Sequence, residues 1–262
     1  MIKIMKLNPK LLVAIDIGNS TVGCGFYRNG VLRGFGSYSS YNIPKIVKII
    51  DESGVSNNNV KVIISSGVPK FTLKIEKVLS NTIPGKSVYI VGKDVFPKVK
   101  MKYKRKLLGA DRLVNVYGAI RKYRLPILVI DFGTAITFDF IGKSGVFEGG
   151  LIVPGVETSF RALGERTALL PKSAKIRDVS KLIGRNTKSA MCSGLLNGFG
   201  ALADGLIGRF KREYASNLKV LATGGFAKRM ARYARKLDYV DPLHTVRSLA
   251  LIYQNEIEEK SR

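Results

Sequence analysis

Two segments with the same pattern lie about half a chain apart, and they constrain the fold more than any other feature. They are LLVAIDIGNSTVG (11–23) and ILVIDFGTAITFDF (127–140). In each, an apolar run typical of a buried strand ends at an aspartate that is followed by glycine and small hydroxyl residues. A single turn of this kind is common in β-hairpins and indicates no function. The recurrence of the pattern therefore indicates a duplicated unit.

The sequence around these segments predicts alternating strands and helices in both halves. Strands are expected at 11–18, 22–28 and 31–38, with Asn29-Gly30 as a hairpin turn, since both positions of a type I′ turn need positive φ. Hydrophobic periodicity predicts the other elements. These are strands at 60–67, 87–92 and 218–225, a strand meander at 127–155 around the 142–145 turn, and helices at 43–54, 69–82, 109–124, 156–168, 187–213, 226–237 and after Asp241-Pro242.

The 262 residues, 45% of them hydrophobic, suffice for two domains with their own cores. We expect a basic tail at 1–10, an N-terminal domain at 11–125 and a C-terminal domain at 126–262. No apolar run reaches the ~20 residues of a membrane span, and Asp16 interrupts the run that follows the basic start, so we expect neither a membrane anchor nor a signal peptide. Two distant cysteines favour the reducing cytoplasm.

Lysine and arginine outnumber the acids by 44 to 19, a net charge of +25. This makes association with polyanions plausible. The basic residues are spread over the whole chain, however, as is typical of solvated faces, so the sequence does not favour specific nucleic-acid binding. The single histidine, His244, argues against a catalytic triad or a multi-histidine metal site, and we expect it at the surface or at a helix start.

The densest basic stretch is PKVKMKYK (97–104), whose strict alternation predicts a strand. One face would carry Lys98, Lys100, Lys102 and Lys104, and the other Val99, Met101 and Tyr103. We interpret the lysines as protection of an edge strand. The alternative is an electropositive approach to a site for anionic substrates.

The two aspartate turns have the composition of a nucleotide-phosphate site. Glycine allows close approach of the backbone, and successive N–H groups with hydroxyl side chains bind anions. An aspartate fits there if a cation such as Mg²⁺ lies between it and the phosphates. The third glycine turn, ATGG (222–225), suits adenosine resting on bare backbone.

Neither a P-loop nor a GxGxxG fingerprint after a strand occurs in the sequence. The order of the three turns instead predicts an α/β protein with the duplicated ribonuclease-H-like (actin-like ATPase) fold. This is the fold of acetate and sugar kinases, Hsp70 and actin, in which two α/β domains have a nucleotide cleft between them.

The sequence closely resembles the type III pantothenate kinases. The motifs that carry the resemblance follow in the family's order and spacing: IDIGNST, GADRLVN, IDFGTAITFD, GGLIVPGVETSFRALGERTALLP, GRNTKSAMCSGLLNG, ATGG and DPLHTVRSLALIYQ. The resemblance implies ATP-dependent phosphorylation of pantothenate to 4′-phosphopantothenate, the first committed step towards coenzyme A. It also implies a homodimer, Mg²⁺ with ATP, and a monovalent cation, K⁺ or NH₄⁺.

The same resemblance implies roles for individual residues. Asp111 corresponds to the catalytic base, Asp131 to the monovalent-cation ligand and Asp16 to the residue that meets Mg²⁺–ATP. Further ATP contacts are implied for Ile17, Gly18, Asn19, Ser20, Thr21, Val22, Gly23 and Thr134. Pantothenate contacts are implied for Gly109, Ala110, Arg112, Thr187 and Tyr103.

The chemistry of these residue types agrees with the implied roles. A primary alcohol is a poor nucleophile, so a carboxylate should accept its proton during phosphoryl transfer. An arginine beside the base can bind the substrate carboxylate bidentately. Without the surrounding motifs, Asp111-Arg112 would read as an acid stabilising a helix N-terminus and a surface arginine.

The sequence departs from the family pattern at two points. Ser20 stands where the family usually has threonine, which preserves the hydroxyl. The approach to GADR, YKRKLLGADR, is basic and one residue shorter than usual, and Tyr103 is the residue that corresponds to the family's tyrosine.

Two alternative functions stay open at the level of sequence. The net charge is compatible with a catalytically weak family member that acts as an accessory or nucleic-acid-binding protein, against which the intact Asp16, Asp111 and Asp131 argue. The fold is compatible with another small-molecule kinase or an exopolyphosphatase, against which GADR and the chain length argue.

Overall fold

The structure, a computed structural model, describes residues 11–39, 48, 60–82, 87–166 and 176–259. The predicted tail at 1–10 lies outside these residues. The predicted helix at 43–54 does as well, apart from Lys48.

The first sheet has five strands, two of its strand pairs antiparallel and two parallel. Its order is β3-β2-β1-β4-β5, with β1 antiparallel to β2 and parallel to β4. The predicted hairpin turn is confirmed, because Asn29 has φ 52° and Gly30 has φ 77°. The strands are β1 (Leu11–Ile17), β2 (Thr21–Arg28), β3 (Val31–Ser39), β4 (Val60–Ser66) and β5 (Val88–Ile90).

The second sheet repeats this arrangement with different residues. Its order is β10-β9-β6-β7-β8, with β6 antiparallel to β7 and parallel to β9. Strand by strand, β6 takes the place of β1 and β9 the place of β4, so the duplication is confirmed. The strands are β6 (Ile127–Phe132), β7 (Ala135–Ile141), β8 (Phe147–Pro154), β9 (Lys219–Thr223) and β10 (Tyr239–Val240).

With one exception, α5 (Ala227–Met230), the described helices begin and end close to the positions that periodicity predicts. Helix α4 shows why. Asn186 accepts a hydrogen bond from the Ser189 N–H at 2.8 Å, and the Ser189 hydroxyl accepts one from the Asn186 N–H at 3.2 Å, a reciprocal capping box. The helices are α1 (Pro69–Thr82), α2 (Ala110–Lys122), α3 (Val156–Arg166), α4 (Thr187–Glu213), α5 (Ala227–Met230) and α6 (His244–Tyr253), with a 3₁₀ turn at Arg105–Leu107 and a π-helical turn at Gln254–Glu258.

Each sheet buries one apolar face under helices. In the first sheet this face packs against α1, and in the second against α4 and the residues around α5. Alternation along the strands leaves Asp16 and Asp131 on the opposite faces, because their neighbours Ile15, Ile17, Ile130 and Phe132 are the ones that enter these cores.

Helix α4 is long and apolar enough to cross a membrane by length and composition. Leu196, Ala203 and Ile207 of this helix are buried in the core of the second sheet. This one-sided packing is typical of a core helix in an α/β unit.

The single helix predicted at 226–237 is wrong, because only the four residues of α5 are helical within it. The Asp204 carboxylate accepts hydrogen bonds from the N–H groups of Arg235 and Lys236, each at 2.9 Å. The backbone carbonyl of Tyr233 also lies against Gly200 of α4, so closely that an added Cβ there would overlap it. These tertiary contacts hold the backbone in turns where periodicity alone favours helix.

The strand predicted at 97–104 is also absent, and one isolated bridge joins Met101 to Phe147. Lys102 N–H donates to the Phe147 carbonyl, and Phe147 N–H donates to that of Lys100, both at 2.9 Å. The predicted alternation survives this loss, because the four lysines are exposed while Val99 is buried.

The sequence led us to expect His244 at the surface or at a helix start. It begins helix α6, but its side chain is wholly buried. Its ring lies 5.6 Å from that of Tyr123, edge to face. The aromatic neighbour accounts for the burial of a side chain that sequence alone would place in solvent.

The chain divides into two compact units that are not contiguous in sequence. Unit 1 comprises Met1–Lys98, Gly109–Gly118 and Thr245–Arg262, and unit 2 comprises Val99–Leu108 and Ala119–His244. The division at 125/126 expected from the sequence thus falls inside unit 2. The chain's last helix joins unit 1 through buried hydrogen bonds, one from the Tyr27 hydroxyl to the Val246 carbonyl at 3.2 Å.

Candidate active site

In unit 1, the Asp16 turn closes tightly at the end of β1. Asp16 pairs with Gly23 on β2 and with Ser65 on β4. The Gly18 N–H donates to the Thr21 carbonyl at 2.9 Å. This bond fixes a short loop on which Asn19 is exposed to solvent.

The GADR segment of unit 1 forms the start of α2. Asp111 lies in the first helical turn, and its Oδ1 accepts a hydrogen bond from the Arg112 N–H at 2.8 Å. A Cβ at Gly109 would lie 2.5 Å from the same oxygen, so only glycine leaves room for this carboxylate position. Arg112 is 7% exposed, so it is not the surface arginine that we would expect if Asp111-Arg112 only stabilised a helix N-terminus.

In unit 2, Asp131 occupies the position that Asp16 has in unit 1, one residue before the end of its strand. It pairs with Thr137 on β7 and with Thr223 on β9. Gly224 follows Thr223 with φ +90°, and an added Cβ there would overlap the Asp131 carboxylate and the Phe132 carbonyl. The ATGG turn therefore packs directly on the carboxylate of Asp131.

A second glycine, Gly155, packs against the same turn. Its N–H donates to the Thr134 carbonyl at 2.9 Å, and the Thr158 hydroxyl donates to that carbonyl at 2.7 Å. A Cβ at Gly155 would overlap the carbonyls of Gly133 and Thr134. The turns at 131–134, 154–158 and 223–225 thus form one cluster of closely approaching backbone in unit 2.

Thr187 and Tyr103 lie at separate places in unit 2. Thr187 is the exposed first residue of α4, at a helix N-terminus whose dipole favours an anion. Tyr103 is half-buried, and its ring lies 5.8 Å from that of Phe147.

Cys24 lies on β2, one residue from the Gly23 that pairs with Asp16, and its thiol is buried. Burial, and secondarily the charge of Asp16, raises the pKa of Cys24 to about 12. The thiol is therefore neutral at physiological pH.

Among the described residues, no group of three or more His, Cys, Asp and Glu side chains could hold a metal ion. A cation at either strand-end aspartate would therefore need further ligands from hydroxyl, backbone or ligand oxygens.

Sequence reasoning missed Ser65 and Gly155. Gly155 belongs to a motif that the sequence analysis recognised, GGLIVPG, but the motif does not indicate which turn this glycine packs against. The position of Ser65 beside Asp16 depends on strand register, which the sequence does not show.

A model of the type III pantothenate kinase family matches residues 12–209. The chain belongs to this family. The match includes Asp16, Asp131 and the GADR segment with Asp111.

Solved structures similar to this chain share its fold at low identity. A protein from Campylobacter jejuni, described as a conserved Baf family transcriptional activator, is 19% identical with a TM-score of 0.60, covering 95% of this chain and 100% of that one. A protein from Sinorhizobium meliloti, described as a 2-dehydro-3-deoxygalactonokinase, is 12% identical with a TM-score of 0.59, covering 93% and 96%. MreB 5 of Spiroplasma citri, bound to AMPPNP, is 13% identical with a TM-score of 0.53, covering 96% and 98%. The predicted actin-like, duplicated fold is therefore confirmed.

Proposed function

We propose that this family member transfers the γ-phosphoryl group of ATP to the primary hydroxyl of pantothenate, yielding 4′-phosphopantothenate and ADP. The observation that carries the proposal is the GADR segment. Asp111 lies in the first turn of α2, and Gly109 leaves space for its carboxylate. A carboxylate is a residue type that can accept the proton of an alcohol during phosphoryl transfer.

In the proposed reaction, the hydroxyl oxygen of the substrate attacks the γ-phosphorus while its proton passes to a carboxylate oxygen of Asp111. The bond from the γ-phosphorus to the bridging oxygen breaks, and ADP leaves with the electron pair. Asp111 then releases the proton to solvent. The N–H of Arg112 holds Oδ1 of Asp111, which leaves Oδ2 as the candidate proton acceptor.

The cations implied by the family fit the residues present. Asp131 lies under the Gly224 turn with a threonine on each neighbouring strand, an oxygen-rich setting that suits K⁺ or NH₄⁺. Asp16 ends β1 beside the Gly18–Thr21 turn and suits Mg²⁺ bound with ATP. The cations would neutralise charge on the phosphates during transfer.

The substrate carboxylate has two candidate partners. Arg112 lies next to the base, and a guanidinium is the group that pairs with a carboxylate through two hydrogen bonds. Thr187 offers a hydroxyl and the N-terminal N–H groups of α4. Gly109, Ala110 and Tyr103 are the other candidate pantothenate contacts.

We further propose that the protein is a cytoplasmic homodimer. The two buried, unpaired cysteines fit a reducing compartment. In unit 2, the edge strand β8 exposes Leu151 at 40% and Ile152 at 61%. Exposed aliphatic residues on a sheet edge are favourable for burial against a second copy.

The direct test is phosphorylation of pantothenate by the purified chain with ATP, Mg²⁺ and K⁺, followed by mass spectrometry of the product. We expect a product heavier by one phosphoryl group. 2-Dehydro-3-deoxygalactonate is the comparison substrate, because a protein of this fold carries the name of its kinase. Phosphorylation of that sugar acid and not of pantothenate would overturn the proposal.

A second candidate function is nucleic-acid binding by a weak enzyme, which the net charge of +25 favours. The similar Campylobacter jejuni protein is described as a transcriptional activator. Retention of Asp16, Asp111 and Asp131 favours the kinase. Absence of phosphotransfer together with tight, sequence-selective DNA binding would favour the second function.

A further inference from the structure

Ser65 lies beside Asp16 and has a hydroxyl with no hydrogen-bond partner among the described residues. It is the Cα partner of Asp16 in the parallel pair of β1 and β4, so the two side chains leave the sheet on the same face. The opposite face carries Ile15 and Ile64 into the core under α1. Ser65 is wholly buried, and its Oγ is unpartnered within the described part of the chain.

Thr223 repeats this situation in the second sheet. It is the Cα partner of Asp131 in the parallel pair of β6 and β9, on the face away from Ile130 and Ala222. Thr223 is also wholly buried, and within the described ranges its Oγ1 has no hydrogen-bond partner. The two hydroxyls therefore occupy equivalent positions in the duplicated fold, each next to the strand-end aspartate.

An unpartnered buried hydroxyl is costly, because it gives up its hydrogen bonds to water without replacement. Valine and alanine would fill the same positions without that cost. Thr137, which flanks Asp131 on the other side, shows the ordinary solution, since its hydroxyl donates to Asp139 at 3.3 Å. The same cost at both equivalent positions indicates a shared purpose, namely an oxygen held ready for a ligand.

We propose that these two hydroxyls complete the ion sites of the aspartates beside them. Thr223 Oγ1 supplies an oxygen to the monovalent cation at Asp131, and Ser65 Oγ binds the hydrated magnesium of the nucleotide at Asp16. A hydroxyl suits both tasks, because its lone pairs bind a cation or a water proton while its own proton is free to meet a phosphate oxygen. The inference rests on the proposed function for the presence of the ions, but not for the identity of the phosphoryl acceptor.

The test measures ion binding rather than turnover. The thermal unfolding midpoint of the full chain is followed with Mg²⁺ and AMPPNP while K⁺ replaces choline at constant ionic strength. We expect Thr223→Val to raise the K⁺ concentration for half-maximal stabilisation by about 10- to 100-fold, the effect typical of losing a group that supports a metal site. Thr223→Ser keeps the hydroxyl and should respond as the wild type does.

Ser65→Ala is the matched variant in the other sheet. It should leave the K⁺ response unchanged and weaken Mg²⁺-dependent AMPPNP binding, measured by calorimetry at saturating K⁺. Thr223→Val should leave the Mg²⁺ dependence unchanged. A wild-type K⁺ response in Thr223→Val, or in Thr223→Ala if the valine variant does not fold, would overturn the role of Thr223, and unaltered Mg²⁺ dependence in Ser65→Ala would overturn that of Ser65.

Two further measurements separate this inference from its premises. Without added ions, Thr223→Val should unfold at the same temperature as the wild type or higher, because an unpaired polar group has been removed. A clearly lower midpoint would show a structural partner for the hydroxyl and overturn the inference. A K⁺ response that persists in Asp131→Asn would place the ion elsewhere, and it would overturn both the cation site at Asp131 and the role of Thr223. Phosphorylation of pantothenate is assayed separately and tests the proposed function alone.

Discussion

Asp111 is the residue whose replacement tests the proposed chemistry most directly. Asp111→Asn keeps the size and the hydrogen-bond acceptor but cannot take up the substrate proton. We expect kcat to fall by about 10²–10⁴-fold, with the affinity for ATP retained. The measurement is steady-state kinetics together with nucleotide binding by calorimetry.

The control for this prediction is Asp178→Asn. Asp178 forms ion pairs with Arg229 and Arg232 at 3.2 and 2.8 Å, both at the surface. Loss of a charge from such a pair should change stability and turnover little. An Asp111→Asn enzyme within a few-fold of the wild type would remove Asp111 from the role of base.

Gly224 is the second residue whose replacement has a clear expected effect, in this case on stability. Its φ of +90° disfavours any side chain, and a Cβ would overlap the Asp131 carboxylate. Gly224→Ala should therefore lower the free energy of unfolding by about 1–3 kcal/mol, as measured by urea denaturation. The neighbouring Gly225 has no atom within 4 Å of the added Cβ, so Gly225→Ala should leave stability within error of the wild type. Equal effects of the two substitutions would contradict the packing of Gly224 on Asp131.

At the level of elements, the turn after α5 depends on a helix that lies far away in sequence. Asp204 of α4 holds the N–H groups of Arg235 and Lys236. Asp204→Ala should remove the acceptor of both N–H groups and cost about 1–2 kcal/mol of stability, the usual effect of losing a capping acid. Asp204→Asn retains an oxygen acceptor and should lose less. The measurement is chemical denaturation, with nearly unchanged stability of the alanine variant as the contrary result.

At the level of the whole molecule, the net charge of +25 should produce loose binding to polyanions. Such binding rests on counterion release, so it should weaken by about 10³-fold between 50 and 200 mM salt if roughly six phosphates are contacted. Fluorescence anisotropy with two unrelated DNA duplexes measures this, and the two should bind alike. Binding that survives physiological salt and distinguishes the duplexes would favour the nucleic-acid function.

The proposed dimer is also a property of the whole molecule. Light scattering should give about twice the mass of one chain. Leu151 and Ile152 are the exposed aliphatic residues of the β8 edge, so Ile152→Lys should shift the species towards the monomer by placing a charge in the interface. A wild-type monomer would contradict the proposal, and a variant that stays dimeric would place the interface elsewhere.

Much of the fold follows from local sequence, because strands, hairpins and capped helices are decided by neighbouring residues. The period of apolar residues gave the bounds of α1 and α4, and Asn29-Gly30 gave the first hairpin turn. The same local pattern failed at 226–237, where Asp204 and Gly200 act on the backbone from α4.

By itself, the sequence determined the duplicated fold, the family and the identity of the candidate aspartates, since each is encoded in a short run of residues that keeps its meaning wherever it occurs. The tertiary structure alone decided that Gly224 packs on Asp131, that Gly155 packs on the turn of Thr134, and that Ser65 and Thr223 stand beside the two aspartates. These pairings depend on which strands become neighbours and in what register. Register is set by the packing of whole sheet faces against helices, a property that no single stretch of the chain contains.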